Sequence, residues 1–184
     1  MNLFFRYLFK FFEMKIVLLG YMGCGKSTLG AFIANKLNLS HIDLDDYISQ
    51  KEGLTIGEIF KQHGEIYFRR QESHYLKEIL ESNSDIVLSL GGGTPCYGNN
   101  SAMIHQATNL SFYIKLSIPS LVERLKFEQQ KRPLIANLNH DQLSEFIGKH
   151  LFERAPFYEQ AHIKLDANNK SISELFEALH TYVR

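Results

Sequence analysis

Residues 20–27 read Gly-Tyr-Met-Gly-Cys-Gly-Lys-Ser: two glycines with four residues between them, then Lys-Ser. Before them stands Lys15–Leu19 (Lys-Ile-Val-Leu-Leu), a short apolar run of strand character. After them Leu29, Ile33 and Leu37 recur at i, i+4 and i+8, which predicts a helix over residues 28–37. A buried strand, a glycine-rich turn and a helix start form the context that makes this pattern a phosphate loop. The glycines let backbone N–H groups turn inward around phosphate oxygens, and the helix start adds partial positive charge. Gly23, Cys24, Gly25, Lys26, Ser27 and Thr28 are therefore the expected cradle for the phosphates of a nucleoside triphosphate. Lys26 can reach the β- and γ-phosphates, and the Ser27 hydroxyl can reach Mg²⁺. The alternative is a strand–helix turn that binds nothing; the full context favours the ligand. The loop alone does not say what becomes of the nucleotide once it is bound.

The rest of the chain alternates strand and helix. Strands are expected at residues 41–43, 85–90, 110–116 and 162–165. Helices are expected at residues 55–64, 65–81, 120–127, 141–160 and 171–182, with Gly64 stopping the first and a break near Pro156. Thr55 with Glu58, and Ser171 with Glu174, have capping-box spacing. Residues 128–140 are mostly polar and read as a mobile loop. Such alternation implies an α/β fold, a parallel sheet covered by helices on both faces, with ligands at the carboxyl ends of the strands. At 184 residues, 45% hydrophobic and 22% charged, the chain suits one domain with a sizeable core.

Lys+Arg and Asp+Glu are both 20, so no bulk positive field calls for nucleic acid, and anionic ligands must meet locally placed cations. Two cysteines, Cys24 and Cys96, make no disulfide framework and suit a reducing cytoplasm. Cys24, beside Lys26 at a helix start, is expected to be a reactive thiol that nucleotide would shield. Residues 1–13 are rich in phenylalanine but interrupted by Arg6 and Lys10. They are too short and too charged for a membrane span, which needs roughly 20 apolar residues. The reading favoured is an extension before a true start at Met14; an interfacial anchor helix is the alternative.

Further chemistry falls at the predicted strand ends. Asp43-Leu44-Asp45 closes the second strand, and alternation along an extended segment sends both carboxylates to one side. One could hold the Mg²⁺ shell and the other accept a substrate hydroxyl; an N-cap is the plain alternative for Asp45. Gly91-Gly92-Gly93 follows the third strand and reads as a tight turn or a close approach of backbone to ligand. The second is favoured, because a turn needs fewer glycines and glycine is free in its backbone angles. Arg69 and Glu72, at i and i+3 on a helix, can touch. They are either a surface ion pair or an arginine held so that its fork meets a carboxylate. Arg132-Pro133-Leu134 and Arg154-Ala155-Pro156 are weak signals alone.

In this order the motifs resemble those of the shikimate kinase family, over nearly the whole chain from Met14. The resemblance implies a P-loop kinase fold with a five-stranded parallel sheet, a substrate-binding segment over residues 44–72 and a lid over residues 127–140. It implies transfer of the γ-phosphoryl of ATP to the 3-hydroxyl of shikimate, with Mg²⁺, by a cytoplasmic monomer. Carried over residue by residue, Lys26, Asp45 and Arg132 would be catalytic, and Arg132 would also reach the nucleotide from the lid. Asp45, Arg69, Gly91, Gly92, Gly93 and Arg154 would bind shikimate; Ser27 and Asp43 would serve the metal. A related kinase such as one for gluconate is the nearest rival. A GTPase would need a guanine-reading Asn-Lys-x-Asp; Asn35-Lys36-Leu37-Asn38 lacks the aspartate. A catalytically silent regulator finds no support, since every candidate group is present.

Overall fold

Residues 13–129 and 135–183 are described by a computed structural model. Five strands, β1 (Lys15–Leu19), β2 (Ser40–Asp43), β3 (Ile86–Ser89), β4 (Ser111–Lys115) and β5 (Ile163–Asp166), form one sheet in the order β2-β3-β1-β4-β5. Every pairing is parallel. The register sets Val17 opposite both Leu88 and Ser111. All five residues of β1 and all four of β3 are buried. Successive strand residues point to opposite faces, so continuous burial means both faces are covered. The helices that cover them are α1 (Lys26–Leu37), α2 (Leu44–Glu52), α3 (Ile56–Glu81), α4 (Asn100–Ala107), α5 (Ile118–Leu125), α6 (His140–Tyr158) and α7 (Ile172–His180).

The chain leaves β1 for the β2 side of the sheet, returns through β3, then crosses to β4 on the far side of β1. That reversal opens a crevice at the carboxyl ends of β1 and β3. Both glycine-rich segments emerge there side by side, where the Leu90 amide bonds the Leu18 carbonyl at 3.0 Å.

Most expected elements are present within a residue or two, and both capping boxes form. Three points differ. Asp43 and Asp45 do not share an extended segment: Asp43 ends β2 and caps α2, its Oδ1 accepting the Asp45 amide at 3.1 Å, while Asp45 lies in the first helical turn. Gly64, by contrast, divides the two helices where expected: within the continuous stretch α3 it forms a non-helical kink, with φ 80° and ψ 174°, a conformation only glycine adopts without strain. Pro156 causes no break: α6 runs through it and ends at Tyr158. The carbonyl deprived by the proline is that of Phe152, on an exposed stretch of helix where water can serve it. Finally, α2, α4 and the 3₁₀ turn Thr94–Cys96 went unread; around the last two, Gly98, Asn99 and Asn100 have loop composition. Residues 1–12, Arg132 and the centre of the expected lid, residues 130–134, lie outside the described residues.

Candidate active site

The phosphate loop is built on left-handed glycines. Gly23 and Gly25 take φ of 79° and 96°, and Gly25 caps α1. No acidic residue occupies the first turn of α1, so its positive end is unopposed. Lys26 is nearly buried, with Nζ donating to the carbonyls of Gly20 at 2.9 Å and Tyr21 at 3.1 Å. The ammonium is thus held inside the ring of the loop, where a β-phosphate would sit in such a cradle. The Ser27 hydroxyl donates to Asp43 Oδ2 at 2.5 Å. Two hard oxygen donors beside a phosphate cradle fit Mg²⁺, which takes one or two protein oxygens and completes its shell with phosphate and water.

The thiol of Cys24 is not the accessible group expected. It is 2% exposed and lies against the Lys26 ammonium, Sγ to Nζ 3.7 Å. Burial also pushes the Cys96 thiol up to about 11. Cys24 contributes backbone instead: its carbonyl accepts from Arg124 Nη1 at 3.2 Å. Arg124, in the last turn of α5, is a cation on the loop that the sequence reading missed; helix position was its only signal.

Gly91, Gly92 and Gly93 form a strap between the phosphate loop and two arginines. None has positive φ, so their role is close approach rather than backbone freedom. A Cβ on Gly92 would lie 3.2 Å from the Met22 amide nitrogen and 3.8 Å from Arg154 Nη1. On Gly93 it would lie 2.7 Å from Arg69 Nη2, and on Gly91 2.9 Å from Asp45 Oδ1. Asp45, Arg69, Arg154 and the phosphate loop therefore converge on one strap, although they come from four separate parts of the chain.

Arg69 and Glu72 are no surface pair. Glu72 is 1% exposed and accepts Arg69 Nη1 at 2.7 Å; Glu65 Oε1 lies 3.5 Å from Arg69 Nε. Arg154 sits over the Tyr21 ring, 5.9 Å from its centroid, a cation–π contact. Tyr158, one helical turn after Arg154, is fully buried and donates its hydroxyl to the Gly92 carbonyl at 2.5 Å. The i, i+4 spacing of Arg154 and Tyr158 was the signal that could have found it. Burial pushes the Asp45 carboxyl up to about 6; the carboxylates of Asp43 and Glu72 add to this, and Lys26 and Arg69 pull back.

A phosphate cradle at the switch point of a parallel sheet, with Arg69 and Arg154 beside an adjoining glycine strap, defines a P-loop α/β protein. The chain belongs to the shikimate kinase family, whose model matches residues 22–183. It is 46% identical over 160 residues to a shikimate kinase of Flavobacterium johnsoniae, a match covering 87% of this chain and 93% of the relative. Among solved structures, a shikimate kinase from Bacteroides thetaiotaomicron superposes with TM-score 0.86 at 36% identity, covering 92% of this chain and 98% of the other. One from Acinetobacter baumannii, solved in complex with shikimate, superposes with TM-score 0.83 at 28% identity, covering 94% and 93%. A gluconokinase from Sinorhizobium meliloti, at 17% identity and TM-score 0.56 over 91% and 90% of the chains, shares the fold alone. Among the described residues no helix is long and apolar enough to cross a membrane.

Proposed function

We propose that this protein transfers the γ-phosphoryl group of ATP to the 3-hydroxyl of shikimate, acting as a monomer in the cytoplasm. The observation that carries the reading is the strap: glycines at 92 and 93 bring Arg154 and Arg69 to the edge of the phosphate loop. Two guanidinium groups suit a substrate carboxylate. The rest of that substrate would then lie within reach of the transferring group.

Phosphoryl transfer needs little covalent help from protein; it needs alignment and stabilisation of charge. Lys26 is the group expected to exchange its two carbonyl partners for phosphate oxygens and to follow charge onto the transferring group. Asp45 faces the strap and is the candidate acceptor for the hydroxyl proton. An acid poised near 6 is mostly ionised at neutral pH yet basic enough to take up a proton. Ser27 and Asp43 would hold Mg²⁺, which neutralises phosphate charge when bound. Arg132 from the lid would add a further cation, and closure of residues 127–140 over the site would exclude water as a competing acceptor. Residues 44–72, spanning α2 and the kinked start of α3, would form the substrate-binding segment.

A coupled ADP-release assay with shikimate, quinate and gluconate side by side tests the reading. Turnover selective for shikimate is expected. Equal or faster turnover of gluconate would overturn it.

A further inference from the structure

Glu72 is a buried carboxylate with both oxygens occupied by different residues. Oε2 accepts from Arg69 Nη1 at 2.7 Å, and Oε1 accepts from the Thr94 hydroxyl at 2.6 Å. Thr94 is fully buried, and its backbone is held at both amide and carbonyl. Its amide bonds the Gly91 carbonyl at 3.2 Å, closing the strap into a turn. Its carbonyl accepts from Asn100 Nδ2 at 2.8 Å, and Asn100 is itself fully buried at the start of α4. The hydroxyl therefore has one well-determined place. Arg69 spends Nη1 on Glu72, while its Nη2 has no acceptor among the described residues and is the atom closest to where a Gly93 side chain would start.

We propose that Thr94 is a positioning residue for the substrate-carboxylate contact: by capping one oxygen of Glu72 it keeps that carboxylate from taking both amino groups of Arg69, and so leaves Nη2 for the substrate. Guanidinium and carboxylate groups prefer the two-pronged fork geometry when nothing else competes. A buried carboxylate oxygen with no donor is costly. Without the Thr94 hydroxyl, Glu72 Oε1 would be bare and would face Asp45: a Cβ on Gly91 would lie 3.3 Å from Glu72 Oε1 and 2.9 Å from Asp45 Oδ1. Repulsion from Asp45 and attraction to the guanidinium then act in one direction, toward a fork that uses both amino groups. The clamp would still be charged and still in place, but turned away from its ligand. The inference rests on the reading of Arg69 as a contact for the shikimate carboxylate.

Thr94→Val keeps the shape of the side chain and removes the donor; Thr94→Ser keeps the donor. Steady-state kinetics with each substrate varied in turn should show the shikimate KM of Thr94→Val raised about tenfold, equivalent to about 1.4 kcal/mol. Its kcat and ATP KM should stay within about twofold of wild type, since the missing contact is made equally in ground and transition states. Thr94→Ser should restore the wild-type KM, which a purely structural role for the threonine methyl would not allow. A crystal structure of Thr94→Val should show both amino groups of Arg69 on Glu72. If Thr94→Val does not fold, Thr94→Ala carries the same expectations. A wild-type shikimate KM in the variant, a Thr94→Ser enzyme as impaired as Thr94→Val, or an Arg69–Glu72 contact still made through one amino group would overturn the proposal. A wild-type enzyme inactive on shikimate would instead sink the functional reading, and the variant's crystal structure would still decide the geometry.

Discussion

Asp45→Asn should make the protein more stable while abolishing its kinase activity. In the folded protein the Asp45 carboxyl titrates at about 6 against a usual 3.8, mainly through burial and then through the carboxylates of Asp43 and Glu72. The folded chain therefore holds a proton over a range where the unfolded chain has released it. Ionising Asp45 in place works against folding, by about 3 kcal/mol once the pH is well above 6 and by nothing once it is below 3.8. That figure is a ceiling, because the residue keeps part of its surface in water and screening reduces the charge terms. Asparagine copies the neutral form at every pH. Thermal unfolding of the metal-free proteins in EDTA at about pH 8 should show the variant higher, by about 2–4 °C for each kcal/mol in a domain of this size. The gain should shrink as the pH falls through 6 and vanish near 3.8, because the wild type is then protonated too. The same variant should bind Mg·ATP and turn over little or no shikimate. A variant less stable than wild type at about pH 8, or an advantage that does not change with pH, would refute the reasoning.

Other substitutions in the site have equally definite outcomes. Arg69→Ala and Arg154→Ala should each raise the shikimate KM, by an amount on the order of 2–5 kcal/mol for a lost buried charge contact, with ATP KM nearly unchanged; unchanged shikimate KM in both would remove the clamp. Arg69→Ala should also lower the melting temperature, because the buried Glu72 carboxyl would lose its guanidinium and keep only Thr94 as partner. Lys26→Ala and Arg132→Ala should depress kcat far more than shikimate affinity, measured by calorimetry, since their charge matters most while the phosphoryl group is in flight. Gly93→Ala should raise shikimate KM at constant kcat, because its methyl would start 2.7 Å from Arg69 Nη2 and push the guanidinium aside.

Local chain geometry made part of the site legible in the sequence. The phosphate loop, its strand and its helix lie within Lys15–Leu37, and Arg69 and Glu72 are one helical turn apart, so spacing alone joined them. Arg154 could be joined to Arg69 only through motif resemblance; what brings them together in space is the strap, held by β3 and α6 from distant parts of the chain. The partners of buried groups were invisible for the same reason. Thr94 finds Glu72, and Tyr158 finds Gly92, only once α3, α6 and the strap have packed. Asp43-Leu44-Asp45 misled because a strand end and a helix cap can be the same residue, and Asp43 is both. Pro156 misled because the one hydrogen bond it removes, to the Phe152 carbonyl, falls on an exposed stretch of helix where water replaces it.

The central claim, that one strap brings a carboxylate clamp and a phosphate loop to the same substrate, is tested most directly by identifying the product. The protein would be incubated with Mg·ATP and shikimate, and ADP and the phosphorylated product followed together by phosphorus NMR. One ADP for each molecule of product, with phosphate on the 3-hydroxyl alone, is the predicted result. ADP release that is indifferent to shikimate, or phosphate on another hydroxyl, would contradict the account.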